Sequence, residues 1–229
     1  MSALVFGATG LTGRHVVAEL VRLGVPVHAH VRPDSPHVDA WPARFGAGVT
    51  LERTPWTKEA VQALVERVRP TLVFLLLGTT QARARKEGLG SGGAAYDAVD
   101  VRLTEWGIDA CLPLGRAVRV VYLSSAGAGS GSGAYLAARR RVEEKLAASG
   151  LPFTIARPSF IVGDRDEPRR SEQLGAPLAD GALALLGALG GRRLAARYRS
   201  ITGQALAASL VRLSRDPAWA DRIAEREAL

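Results

Sequence analysis

Short apolar runs alternate along this chain with segments whose apolar residues recur at helical spacing, and that alternation predicts βαβ units and a parallel sheet. The first run, Ala3 to Phe6, leads into a glycine-rich turn. From Leu11 to Leu23, Val16, Leu20 and Leu23 recur at helical spacing until Gly24 ends the helix. A second strand is expected from Val25 to Val31, broken at once by Pro33, Asp34, Ser35 and Pro36. A short strand near Val49 to Glu52, a helix over Lys58 to Val68 and a strongly apolar fourth strand from Leu72 to Leu77 follow. Gly88 to Gly93 reads as a flexible stretch, Ala94 to Leu112 as one helix and Val118 to Leu123 as a fifth strand. After a small-residue loop, Ser124 to Gly133, come a long helix from Tyr135 to Ser149 and a sixth strand, Phe153 to Ala156.

Beyond Arg157-Pro158 the regular alternation stops. A charged loop from Asp164 to Arg170, an Ala/Leu-rich helical stretch near residues 177 to 189, and helices after Thr202 and after Pro217 are expected there. The pattern as a whole predicts an α/β fold, a Rossmann-type doubly wound parallel sheet with a small C-terminal substrate-side segment. The dinucleotide-binding unit is expected over residues 1–158, with residues 159–229 packed on the same domain.

Composition narrows this only in places. A chain of 229 residues, 47% hydrophobic and 23% charged, has ordinary globular make-up. Cys111 is its single cysteine, so no intrachain disulfide and no cysteine zinc cluster can form. His15, His28, His30 and His37 lack metal-ligand spacing, and Asp164, Asp166 and Glu167 lack a calcium-loop pattern, so no metal is expected. The net charge of +8 is arginine scattered along the chain, and Arg139, Arg140 and Arg141 cannot share one helix face, which argues against nucleic acid as the partner. No signal-peptide pattern precedes the first strand, and runs such as Leu72 to Leu77 are too short to cross a bilayer. A soluble cytoplasmic protein, monomer or homodimer, is expected.

The candidate chemistry starts at the first turn. Gly7-Ala8-Thr9-Gly10-Leu11-Thr12-Gly13 joins a strand to a helix with glycines three apart. Glycine lets backbone approach a pyrophosphate closely, and the helix start offers unpaired N–H groups to the anion. A NAD-specific site would carry Asp or Glu at the end of the second strand, where this chain has Arg32. An arginine there can pair with a 2′-phosphate, which favours NADP(H) over NAD(H). Trp41 and Trp56 are candidates for an adenine pocket or for anchoring roles in the core. Ser125 closes the fifth strand, Tyr135 opens the next helix and Arg139 lies one turn on along the same face. Carbonyl reduction needs a proton donor and a hydrogen bond to the carbonyl oxygen, which tyrosine and serine can supply.

These residues, with Leu77-Gly78-Thr79-Thr80, Val99-Asp100, Leu123-Ser124-Ser125, and Arg157-Pro158 followed by Gly163-Asp164-Arg165, resemble the short-chain dehydrogenase/reductase superfamily over residues 3–170. The likeness is to its atypical members, most specifically the group of the HIV Tat-interactive oxidoreductase. It implies that Leu77, Gly78 and Thr79 lie beside the cofactor ribose, that Ser125 and Tyr135 are the catalytic pair and that Pro158 borders the nicotinamide. The chain departs from the family at Arg139, where the pattern has lysine. Arginine keeps a permanent charge, but its planar fork is a poor substitute for a compact ammonium in a proton relay. Two functions follow as expectations: NADP(H)-dependent reduction of a small carbonyl substrate, or a non-catalytic NADP(H) sensor that acts through a protein partner.

Overall fold

A computed structural model describes residues 1–35, 38–79, 88, 93–163 and 200–229. Its main sheet has seven parallel strands: β1 (Ala3–Phe6), β2 (Val27–Val31), β3 (Val49–Arg53), β4 (Leu72–Leu75), β5 (Arg119–Leu123), β6 (Phe153–Ala156) and β9 (Arg222–Ala224). Their order is β3-β2-β1-β4-β5-β6-β9, and β7 (Ile161–Val162) pairs separately with β8 (Ile201–Thr202). Ala3, Leu4, Val5 and Phe6 are all buried, as are Leu72 to Leu75, because both faces of the sheet are covered and a strand there must be apolar at every position.

Helices α1 (Leu11–Arg22) and α7 (Gly203–Arg215) lie on one face, where Val16, Val17, Leu20, Leu206, Leu210 and Val211 pack on the strands. Helices α3 (Lys58–Val68), α5 (Arg102–Cys111) and α6 (Ala134–Ala148) cover the other, meeting Leu4, Phe6, Val73 and Leu75 through Val61, Leu64, Ile108, Val142 and Leu146. Two shorter helices, α2 (Trp41–Phe45) and α4 (Gly93–Tyr96), complete the set described. Local sequence explains the ends. Thr57 accepts the Ala60 N–H at the start of α3, and Thr202 accepts that of Ala205 at the start of α7. No helix among the described residues is long and apolar enough to cross a membrane.

Two expectations are corrected, and one strand pairing is added. The helix expected from Ala94 to Leu112 is interrupted: α4 passes through a π turn, Asp97–Val101, before α5 begins. The widened turn turns Asp100 into the protein, where it is fully buried. Ile161–Val162 and Ile201–Thr202 pair as strands that the sequence pattern does not foretell. The helix expected after Pro217 is a single turn, Pro217–Trp219, followed by β9, which extends the main sheet beside β6. Three residues are too few to display a strand period, and their pairing depends on an edge supplied by distant sequence. The charged loop from Asp164 to Arg170 and the helical stretch near residues 177 to 189 lie outside the described residues, as do Pro36, His37 and most of the Gly88 to Gly93 stretch.

Candidate functional site

The carboxyl ends of β2, β1, β4, β5 and β6 carry the candidate residues, and the chain reverses its direction of winding between β1 and β4. That is where an open α/β sheet forms its ligand crevice. Gly7 leaves β1 with φ +78°, and a Cβ there would stand 2.7 Å from the carbonyl oxygen of Leu76. Only a glycine lets the turn after β1 lie against the strand end after β4. A Cβ at Gly13 would run into the Gly7 carbonyl, so α1 too closes directly onto the turn. Gly10 donates its N–H to the Gly7 oxygen at 3.0 Å and is the N-cap of α1, with no side chain to cap it. Thr12 and Gly13 are buried in the first turn of that helix, whose first residue, Leu11, is partly exposed, as is Thr9 in the turn before it. Leu11 packs near the positions a Cβ would take on Gly163 and Gly203, which brings β7 and the start of α7 to the same helix end.

Arg32 follows β2 directly, half-buried, with its Nε 3.6 Å from the Asp34 carboxylate. On β2 itself, His30 is sealed between Phe6 and Trp56, at ring separations of 5.2 and 4.8 Å. Its Nε2 lies 2.7 Å from the Thr54 carbonyl, and burial holds its pKa down at about 4. Trp56 therefore sits in the core packing, while Trp41 stacks on Phe45 under the Arg44 guanidinium. His28 faces Glu52, which also pairs with Arg67. Among the described residues no three His, Cys, Asp or Glu side chains gather as a metal site.

Leu77, Gly78 and Thr79 leave β4 and meet Arg139 of α6. Nη1 of Arg139 donates to the Leu77 carbonyl (3.1 Å), the Leu123 carbonyl (3.1 Å) and the Tyr122 hydroxyl (3.2 Å). Its Nη2 donates to Oδ1 of Asp100 at 2.6 Å, and Oδ2 of that carboxylate accepts the Thr79 N–H at 3.0 Å. Burial works against the charge of Arg139, and the neighbouring Tyr122, Tyr135 and Asp100 more than offset it. Burial also pushes the Tyr122 phenol up to about 12, so it stays a neutral hydroxyl. The Arg139 guanidinium lies 5.1 Å from the ring centre of Tyr135, which is partly exposed and tilts against Tyr96.

Ser125 is partly exposed in the loop after β5, its hydroxyl in a long contact of 3.4 Å with the Ala126 carbonyl. The Ala126 N–H donates to the carbonyl of the buried Pro158 at 2.8 Å, so the loops after β5 and β6 run side by side. Ser124 points the other way and donates to Glu143 at 2.5 Å. Glu143 is chelated by Arg157, which also reaches Glu225 beyond β9 at 3.0 Å. Arg140 ties the loop down through the Ala128 and Gly131 carbonyls. The sequence pattern gave no role to Tyr122 or Glu143 and none to Asp100 or Arg157 beyond the family motif. The available signal was a carboxylate four residues after Arg139 on one helix face.

Residues 7–184 match a protein family described as NAD(P)H-binding. The chain is similar to the isoflavone reductase homolog IRL of Zea mays, at 29% identity over 165 residues that cover 70% of this chain and 48% of that protein. It thus spans about half the length of that curated relative. In three dimensions it resembles Pal from Bacillus thuringiensis (TM-score 0.69, 16% identity, 97% of this chain and 76% of that one). It also resembles the Bordetella bronchiseptica enzyme WbmH, solved in complex with NAD+ (TM-score 0.62, 15% identity, 92% of this chain and 70% of that one).

Proposed function

The chain belongs to the NAD(P)H-binding family, an atypical branch of the short-chain dehydrogenase/reductases, and on that premise we propose that it reduces a small carbonyl compound with NADP(H). The observation that carries the cofactor half is the turn after β1: at Gly7 a side chain would displace the Leu76 carbonyl, and Gly10 leaves the start of α1 uncapped. Such a cradle fits a pyrophosphate, with Thr9, Leu11, Thr12 and Gly13 around it. Arg32, at the position where an acidic residue would select a free 2′-hydroxyl, supports the 2′-phosphate form. The chemistry a reduced nicotinamide would supply, when bound on this cradle, is a hydride for the carbonyl carbon. Tyr135 gives its phenolic proton to the carbonyl oxygen, which becomes an alcohol, and Ser125 orients that oxygen by a hydrogen bond. Pro158 limits the pocket on the β6 side.

Titration of the purified protein with NADPH and NADH, followed by nicotinamide fluorescence, tests this reading. Arg32→Ala should weaken NADPH about tenfold or more, the worth of a charge-assisted bond, and leave NADH nearly unchanged. Binding of neither cofactor to the wild type would sink the reading. The sensor alternative draws support from one observation, that both terminal nitrogens of Arg139 are engaged with protein oxygens. A sensor would bind NADPH and show no cofactor oxidation that Tyr135→Phe removes.

A further inference from the structure

Arg139 occupies the position of the family lysine, but it faces into the protein. Its Nη1 gathers three oxygens from the ends of β4 and β5, and its Nη2 holds Asp100. Its Nε is buried and finds no acceptor among the described residues. Asp100 completes a bridge by taking the Thr79 N–H on its second oxygen, so one buried carboxylate joins a helix guanidinium to the strap after β4. Gly78 crosses directly over this pair. A Cβ there would lie 2.8 Å from Arg139 Nη2 and 3.6 Å from Asp100 Oδ1. The π turn is what delivers Asp100 to this place.

We propose that Arg139 and Asp100 are positioning residues that clamp the Leu77–Thr79 strap to the end of β5 and seat the ring of Tyr135, and that lysine cannot replace the arginine. The inference rests on the reading above that this strap borders the cofactor. A planar guanidinium can serve Asp100 from one nitrogen while the other spans three oxygens; an ammonium offers three donors from a single point. Arg139 is therefore no stand-in for a relay lysine. Restoring lysine should harm the site and not improve it.

Two measurements on the full chain decide this. Amide hydrogen exchange of Thr79, without added cofactor, should quicken about tenfold or more in Arg139→Lys and in Asp100→Asn. Gly78→Ala, which keeps both charges and guards against a folding failure in the other two, should quicken it in the wild type and add little in the Arg139→Lys background. NADPH affinity should fall in parallel, by about tenfold for Arg139→Lys. Unchanged Thr79 exchange in all three variants overturns the clamp. Faster exchange with unchanged NADPH affinity overturns its role toward the cofactor, as would a gain of turnover in Arg139→Lys. A wild type that binds neither cofactor defeats the proposed function, while the exchange data still decide the clamp.

Discussion

At Gly7, φ is +78° and the nearest atom to a Cβ would be the Leu76 carbonyl oxygen, so backbone strain and a clash with a neighbouring strand coincide. Gly7→Ala should cost about 2–4 kcal/mol, read from urea unfolding. His30, one strand away, gives a pH signature. Its imidazole has a pKa of about 4 in the fold against 6.5 for a histidine in water, because burial disfavours its charge. Between those values the unfolded chain holds a proton that the native chain does not, so stability falls as pH drops through 6.5 and levels off below about 4. On going from pH 7.5 to 4.5 the wild type should lose about 2–3 kcal/mol more than His30→Gln, which keeps a donor for Thr54. Equal losses in the two proteins would show that His30 is free to protonate.

Helix α6 illustrates how an element is fixed by ion pairs at its inner face as much as by apolar packing. Val142 and Leu146 are buried beside Arg139 and Glu143, and each charge has a partner from another element. Arg157 joins Glu143 on α6 to Glu225 next to β9, and the hydrogen bonds with Glu143 hold its guanidinium firmly protonated. Removing one partner leaves a charge stranded away from water. Arg157→Met should therefore lower stability by about 3–5 kcal/mol, whereas replacing Arg157 together with Glu143→Gln should cost less than the sum of the two single changes. A double-mutant cycle by thermal unfolding measures this, and strict additivity would contradict the pairing.

For the molecule as a whole, the sheet is closed off by the last strand. β9 pairs with β6, the Arg157 N–H donates to the Ala224 carbonyl, and Arg119 caps α7 through the carbonyls of Leu213, Ser214 and Asp216. A chain ended at Asp216 loses Glu225 and uncovers the edge of β6. Its unfolding midpoint should fall by about 10 °C or more, as expected for several kcal/mol in a chain of this size. A midpoint within about 2 °C of the full chain would mean that β9 only decorates the sheet.

The strands at the centre of the sheet were legible from sequence because a strand buried on both faces must be apolar throughout, as Ala3–Phe6 and Leu72–Leu75 are. The turn after β1 was legible because its glycines answer to steric demands within a few residues. The superfamily followed from motifs that lie at these strand ends. What tertiary structure decided depends on partners far apart along the chain. Asp100 and Arg139 are 39 positions apart, and Arg157 and Glu225 are 68 apart. No local period announces that a π turn will bury an aspartate or that three residues near the end will find an open sheet edge. A charge on a helix reads as surface until the fold brings its counter-ion, and Arg139, in sequence a permanent charge four residues after Tyr135, is in space buried against Asp100.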